Sequence, residues 1–189
     1  ANTAQCRGAW LQRKGRPWPR HATLTLNPGV LITARGTARP PGQSSSNLDD
    51  STRRVIGMDG QVSVSGIITA YDRPDFLRRA IESALAQTWP LRELIVVDDG
   101  SHDDLFAVVA PFGERVRYLR LSGNQGANAA RNAGIAAASG DAVALLDDDD
   151  RWLPDKISQQ VSRLAAGYEA VLCGWRAGDG RETRVHPVD

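Results

Sequence analysis

From residue 61 onward, the sequence alternates between short apolar runs and longer segments whose apolar residues recur with helical spacing. The run LIVV at 94–97 has no polar alternation, which is typical of a strand buried on both faces. This alternation predicts an α/β fold with a mainly parallel sheet and helices on both of its faces. Strands are expected at 62–70, 91–98, 115–121, 142–146 and 169–175, and helices at 74–88, 101–112, 126–139 and 154–166.

The first 58 residues differ from the rest in charge. They hold nine Lys and Arg residues and two acids, a net charge of +7, so the remaining 131 residues of this +1 chain carry −6. This segment has neither interleaved aromatic residues nor a recognition-helix pattern, so specific nucleic-acid binding is not indicated. We therefore expect a basic, poorly ordered leader and linker over 1–58, with a short hairpin at 22–34 and a Pro/Gly/Ser-rich linker at 36–52. The folded domain is expected over 59–189.

Composition excludes several classes of protein. No apolar run approaches the ~20 residues that span a bilayer, and no secretory signal is visible. Cys6 and Cys173 lie far apart and have neither disulfide-framework nor zinc spacing, which favours a reducing compartment. We expect a cytoplasmic protein, with peripheral attachment to the inner face of the membrane as the alternative if its substrate is a lipid.

Polar side chains follow three of the predicted strands. The strand ends deliver TAYD at 69–72, DDGS at 98–101 and four aspartates at 147–150. In parallel sheets, ligands bind beyond the carboxyl ends of strands, so these segments predict a polar pocket. So many carboxylates repel one another, and a bound Mg²⁺ or Mn²⁺ would relieve the repulsion. On an extended backbone, Asp147 and Asp149 would face that cation, and Asp148 would point elsewhere.

Other acidic or phosphate-binding motifs do not fit. An aspartate phosphatase motif needs Thr or Val at 151, where Arg151 stands. The aspartate run lacks EF-hand spacing, and neither a dinucleotide-binding GxGxxG nor a P-loop is present. A nucleotidyltransferase would need a Gly-rich loop after the first strand, where ITAYDRPD has no glycine.

Four segments in this order and spacing resemble one family. They are VSVSGIITAYDRPDFLRRAIESALAQTW, ELIVVDDGSHDD, NQGANAARNAGIAAASGD and LLDDDDRWLPDKI. Residues 62–177 resemble the nucleotide-sugar-binding half of a family 2 glycosyltransferase with the GT-A (Rossmann-like) fold. The resemblance implies a metal-dependent, hexosyltransferase-like enzyme that moves a sugar from a nucleotide diphosphate to an acceptor, with inversion.

The resemblance also assigns residues by position. Thr69 and Tyr71 would line the base and ribose pocket, and Asp99 would accept a hydrogen bond from the base. A uracil N–H is the favoured donor of this bond, so a UDP-sugar is the favoured substrate. Asp148 would contact the ribose. Two alternatives stay open: Arg131 as a salt bridge to the acidic edge, and Tyr71 as packing on the sheet edge. The full expected sets are Thr69, Tyr71, Asp99, Arg131 and Asp148 for the nucleotide sugar, and Asp147 and Asp149 for Mn²⁺ or Mg²⁺ as a DxD motif.

The family's catalytic base lies in a half of the domain that this sequence does not match, so no base is assigned. We expect a chain truncated at its C-terminal side, whose acceptor, a glycan, lipid or protein, stays unidentified. The alternative is a non-catalytic module that binds a nucleotide sugar without turnover.

Overall fold

A computed structural model describes residues 2–11, 31–33, 62–165, 170–176 and 182–183. Within these ranges, no helix is long and apolar enough to cross a membrane. The strands are β1 (Asn2–Leu11), β2 (Leu31–Thr33), β3 (Val64–Ala70), β4 (Glu93–Asp98), β5 (Val116–Arg120), β6 (Ala142–Asp147), β7 (Asp150–Trp152), β8 (Ala170–Arg176) and β9 (Glu182–Thr183). The helices are α1 (Pro74–Leu85), α2 (Leu105–Val109), α3 (Ala127–Ala137) and α4 (Lys156–Ala165), with a 3₁₀ segment at Ala110–Arg115.

The described strands form one sheet in the order β5-β4-β3-β6-β2-β8-β1-β7, with β9 paired to β8. The strands β5, β4, β3 and β6 are mutually parallel, which confirms the predicted parallel core. Beyond β6 the pairing is mixed, because β2 runs antiparallel to β6 and β8 while β1 runs parallel to β7. The central strand β3 is buried along its whole length.

Helices cover both faces of the parallel core. Neighbouring residues of β3 point to opposite faces, so that Ile67 and Ile68 belong to two separate apolar clusters. The cluster around Ile67 lies under α3, while the cluster around Ile68 includes the buried faces of α1 and α4. Because helices cover both faces of the sheet, the strands between them are apolar along their length, as the sequence pattern predicted.

The N-terminal ends of the strands are joined by Glu93. Its Oε1 accepts from the Ser65 hydroxyl and from both the amide and the hydroxyl of Ser139, each at 2.7 Å. Burial opposes ionisation of Glu93, but these donors outweigh it and lower the pKa of the carboxyl. This contact links β3 and β4 to the segment between α3 and β6.

Two local predictions need correction. The helix expected from residue 101 begins only at Leu105, and the Ser101 hydroxyl accepts from the Asp72 amide. The N-cap of α2 is Asp104, whose Oδ1 accepts from the Ala107 amide at 3.2 Å, and α2 is followed by the 3₁₀ segment. In addition, the short strand β7, which begins at Asp150, was not expected between the strand at 142–146 and the helix at 154–166.

The leader contributes two strands to the sheet. Within the hairpin expected at 22–34, Leu31–Thr33 pairs with β6 and β8, while residues 22–30 lie outside the described residues. The strand Asn2–Leu11 pairs with β7 and β8 and was not expected from its irregular pattern. The linker at 36–52 and the boundary at 58/59 also lie outside the described residues, so the division into 1–58 and 59–189 stays a prediction.

Close packing of α3 on the sheet gives a stability prediction. A Cβ built at Gly134 would lie 2.5 Å from Ile67 Cγ2 and 3.2 Å from Val97 Cγ2. Ala is favoured over Gly in a helix by about 1 kcal/mol, but overpacking costs about 1–3 kcal/mol. We expect Gly134→Ala to lower the free energy of unfolding by about 1 kcal/mol in urea titrations.

The matched control is Asn132→Ala, an exposed position on the same helix. It should change the free energy of unfolding by less than about 0.5 kcal/mol. A Gly134→Ala protein as stable as the unsubstituted chain would show that α3 has room to move away from β3.

Candidate functional site

The polar ends of β3, β4 and β6 meet at one edge of the sheet. Parallel register pairs Thr69 with Val97 on one side and with Asp147 on the other. The Thr69 hydroxyl donates to Asp147 Oδ1 at 3.1 Å, and the Thr69 carbonyl accepts from the Asp148 amide at 3.1 Å. The three segments that the sequence predicted to converge therefore lie together.

Arg131 reaches this edge from α3. Its Nη2 donates to Oδ1 and Oδ2 of Asp147 at 2.8 and 3.0 Å, and its Nη1 donates to Asn128 Oδ1 at 3.1 Å. Arg131 is buried, and within the side chains that the structure describes its Nε has no hydrogen-bond partner. Arg131 thus forms the salt bridge that the sequence left open as an alternative, and its contact with a nucleotide stays a prediction.

Asp148 is the buried member of the acidic run, with 0% of its side chain exposed. Its Oδ2 accepts from the Tyr71 amide at 3.2 Å. Its Oδ1 lies 2.7 Å from Arg73 Nη2 as an ion pair without hydrogen-bond alignment. Burial raises the pKa of Asp148 to about 6, and the charges of its two aspartate neighbours act in the same direction. Asp148 therefore joins the ends of β6 and β3, and its ribose contact stays a prediction.

Asp149 is held by the same arginine. Arg73 Nη1 lies 2.6 Å from Asp149 Oδ2, and both side chains are 45% exposed. Arg73 was not expected at the site from the sequence. A signal was present, since Arg73 follows β3 directly and so stands at the same sheet edge as the acidic run.

The acidic run is already partly neutralised. Arg73 and Arg131 supply two positive charges beside three aspartates, so the repulsion that predicted a cation is relieved by the protein itself. Among the described residues, no group of three or more His, Cys, Asp or Glu side chains is arranged to hold a metal ion. However, Mg²⁺-type ions are commonly bound by one or two carboxylates together with substrate phosphates. Residues 148 and 149 form a turn after β6, so the extended backbone expected to align Asp147 with Asp149 is not found. The Asp149 side chain is 45% exposed and fits that kind of site, while Asp147 as a second ligand stays a prediction.

Asp99 holds the loop that precedes α3. It is buried, and its Oδ1 and Oδ2 accept from the amides of Gln125 and Gly126, both at 2.8 Å. Gly126 has a φ of 89°, a backbone conformation that favours glycine. Asp99 thereby positions the start of the helix that carries Arg131, and its predicted contact with a base remains a prediction.

A sequence comparison decides the family. The sequence model described as Glycosyl transferase family 2 matches residues 65–189, which include every element of the site. The chain belongs to glycosyl transferase family 2. The parallel core with helices on both faces agrees with the fold class expected from the resemblance.

Curated relatives of this glycosyltransferase chain include proteins named for polysaccharide biosynthesis. The succinoglycan biosynthesis protein ExoO of Rhizobium meliloti is 44% identical over 117 residues, which cover 61% of this chain and 34% of ExoO. The putative teichuronic acid biosynthesis glycosyltransferase TuaG of Bacillus subtilis is 38% identical over 101 residues, 52% of this chain and 40% of TuaG. The matched part thus spans about a third to two fifths of these relatives.

Among solved structures, S. aureus TarS 1–349 in complex with UDP-GlcNAc is 25% identical, with a TM-score of 0.45. The match covers 55% of this chain and 30% of TarS 1–349. The mannosyltransferase PcManGT from Pyrobaculum calidifontis, in complex with GDP-Man and Mn²⁺, is 21% identical, with a TM-score of 0.47. That match covers 52% of this chain and 30% of PcManGT.

Asp98, a further buried aspartate, fixes the end of β4 in this glycosyltransferase domain. Asp98 Oδ1 accepts from the Ser101 amide at 2.8 Å, and Oδ2 accepts a short hydrogen bond from the Tyr118 hydroxyl. Arg120 Nη1 lies 3.4 Å from the same oxygen. Burial, followed by the hydrogen bond to Asp98, raises the pKa of Tyr118 to about 12. Sequence reasoning gave Asp98 no separate role, because two successive aspartates at a strand end look alike.

The loops after β3 and β4 are joined by Asp72 and His102, a pair that the sequence analysis also missed. Apart from glycine, Asp72 is the described residue with positive φ, at 51°. Its Oδ1 accepts from the amides of His102 and Asp103 at 2.6 and 3.2 Å, and its Oδ2 lies 2.9 Å from His102 Nδ1. The His102 and Tyr71 rings meet edge to face with centroids 6.2 Å apart. This pair thus holds an imidazole beside the tyrosine that is predicted to line the nucleoside pocket.

The pair gives a pH prediction. The hydrogen bond with Asp72 raises the pKa of His102, and the same bond lowers the pKa of Asp72. Because the folded-state pKa of His102 is raised and that of Asp72 is lowered, the stabilisation by this contact is fully present between about pH 4 and about pH 6.5. It is lost as the pH rises through the raised value. We expect Asp72→Asn to lower the His102 pKa toward 6.5 in an NMR titration of the imidazole.

The control is Asp103→Asn, because Asp103 acts on His102 through charge alone. Its effect on the His102 pKa should be the smaller of the two. Asn tolerates positive φ, so Asp72→Asn should keep the loop conformation. An unchanged His102 pKa in Asp72→Asn would show that the carboxylate and the imidazole do not interact in solution.

Proposed function

We propose that this chain carries the donor site of a metal-dependent glycosyltransferase that moves a sugar from a nucleotide diphosphate to an acceptor. One observation carries the proposal: in a family 2 domain, Asp147 ends β6 and Asp149 follows it at the sheet edge shared with Thr69 and Tyr71. Carboxylates suited to a hard cation thus stand beside an aromatic and a hydroxyl suited to a nucleoside. A UDP-sugar is the proposed donor.

The nucleoside would lie against the ends of β3 and β4. Tyr71 offers a half-buried ring whose position is fixed by its own amide, which donates to Asp148. Thr69 is tied to Asp147 and sets the floor of the pocket. Asp99 would accept from the N–H of a uracil, in addition to the two loop amides that it already accepts from. Each of these roles is part of the proposal.

The donor diphosphate would lie over the acidic run. Asp149 would hold Mn²⁺ or Mg²⁺, with Asp147 as the second carboxylate. When bound, such a cation neutralises the negative charge that develops on a leaving diphosphate. Arg131 keeps Asp147 in place through contacts to both of its oxygens. In this inverting reaction the acceptor hydroxyl attacks the anomeric carbon opposite the diphosphate and gives its proton to a carboxylate base, which we do not assign.

The acceptor is proposed to be a growing polysaccharide. ExoO and TuaG are both named for polysaccharide biosynthesis, which supports this acceptor class. A cytoplasmic site fits soluble donors, and a lipid-linked acceptor would add peripheral attachment to the membrane. The alternative function is a module that binds a nucleotide sugar without transferring it. Transfer or donor hydrolysis by this chain would separate the two.

The donor site is tested by calorimetric titration of UDP, GDP and dTDP, with and without Mn²⁺. We expect Mn²⁺-dependent binding of UDP. Asp149→Asn should weaken that binding about tenfold or more, because one carboxylate ligand is lost. A matched loss of charge at the exposed Glu114, Glu114→Gln, should leave the affinity within about twofold.

Two results would contradict the proposal. One is a folded chain that binds none of the three nucleotides. The other is UDP binding that is equally tight without Mn²⁺ and in Asp149→Asn, which would place the diphosphate away from the acidic run.

A further inference from the structure

We propose that Arg73 is an internal counter-ion that occupies the Asp149 carboxylate until a divalent cation displaces it. The proposal rests on the donor site proposed above, and it adds a residue that controls when the cation binds. On this view, Arg73 makes Mn²⁺ bind weakly by itself and more tightly together with a nucleoside diphosphate.

The guanidinium bridges two carboxylates in different surroundings. Arg73 Nη2 lies 2.7 Å from Asp148 Oδ1, on a side chain with no exposure. Arg73 Nη1 lies 2.6 Å from Asp149 Oδ2, on a side chain that is 45% exposed. An exposed ion pair is weak because water and salt screen it, whereas a buried carboxylate is costly to leave without a counter-charge. The contact with Asp149 is therefore the one that exchanges readily.

The backbone of Arg73 is fixed by the start of α1, while its side chain is partly exposed to water. Arg73 is the N-cap residue of α1, and its carbonyl accepts from the Leu77 amide at 3.0 Å. Pro74 follows at the first helical position, which fixes the start of the helix. The side chain itself is 45% exposed and extends over the acidic run. A swing of the guanidinium away from Asp149 therefore needs no change in the fold.

The positive charges already beside Asp147 and Asp149 explain why Arg73 and a cation compete. Asp147 has its own counter-ion in Arg131, which contacts both of its oxygens. Asp149 has Arg73. A divalent cation on Asp149 would lie a few ångströms from a guanidinium of the same sign, which weakens its binding. The cation must therefore displace Arg73 or bind more weakly beside it.

A nucleoside diphosphate changes this balance. Its phosphate oxygens match the planar fork of a guanidinium, so the diphosphate offers Arg73 a new partner as the cation takes Asp149. Each ligand then favours the other, which is a positive coupling between the two binding events. Arg73 alone among the described arginines contacts both Asp148 and Asp149, and so is placed to carry this coupling.

The test measures Mn²⁺ binding by electron paramagnetic resonance on the full chain, without nucleotide and without turnover. We expect Arg73→Ala to bind Mn²⁺ about three- to tenfold more tightly than the unsubstituted chain, because a competing positive charge is gone. Arg78→Ala removes the same charge from an exposed position on α1 and should change the affinity by less than about twofold.

A second variant guards against loss of folding. Arg73→Gln keeps hydrogen-bond donors for the buried Asp148 and removes the charge, so it should also bind Mn²⁺ more tightly. Thermal unfolding shows which variants are folded. Unchanged or weaker Mn²⁺ binding in a folded Arg73 variant would overturn the proposal and leave Arg73 as a structural partner of Asp148.

A second arm separates this proposal from the proposed function. UDP should raise the Mn²⁺ affinity of the unsubstituted chain by about fivefold or more, and it should raise that of Arg73→Gln by less. If UDP and Mn²⁺ do not bind together to the unsubstituted chain, the proposed donor site fails. The comparison with Mn²⁺ alone still decides the role of Arg73. Equal coupling in both proteins would overturn the role of Arg73 and leave the donor site standing.

Discussion

The position of β3 between two parallel partners is the constraint on which the site depends. Residues of β3 pair in register with both β4 and β6, so the three strands end at the same level. At the opposite end of the sheet, Glu93 holds the register by accepting from Ser65 and Ser139. A shift of one residue in either pairing would move every buried side chain of the strand to the other face. Core packing and placement of the polar strand ends are thus set by one and the same register.

That register brings together charges that need partners. Asp98, Asp99 and Asp148 are all buried beside the strand ends, and a buried charge is costly unless it is paired or hydrogen-bonded. Backbone amides donate hydrogen bonds to all three of these carboxylates and so offset the loss of solvation. Such contacts tie a loop to a strand end whenever they satisfy a carboxylate. The carboxylates at this edge therefore also fix the loops after β3, β4 and β5 to the strand ends.

The sequence was sufficient for the backbone of the parallel core and for the meeting of the polar strand ends at one edge. Apolar runs and helical spacing depend on neighbours along the chain, so β3, β4 and β6 could be predicted from the pattern. The strand Asn2–Leu11 could not, because its partners β7 and β8 lie more than 100 residues away. Side-chain partners were harder for the same reason. The sequence places Arg73 at a strand end, but its bridge to Asp149 and the contact of Asp72 with His102 each join residues far apart along the chain.

The two arginines at the acidic edge differ in a way that matters for function. Arg131 is buried, comes from the packed face of α3, and contacts both oxygens of its aspartate. Arg73 comes from a loop and is 45% exposed, so water competes for its contact with Asp149. In the proposed donor site, one carboxylate would stay paired with a buried arginine, and another would exchange its arginine for a cation. The difference in burial between the two ion pairs supplies that distinction without any change in the chemistry of the residues.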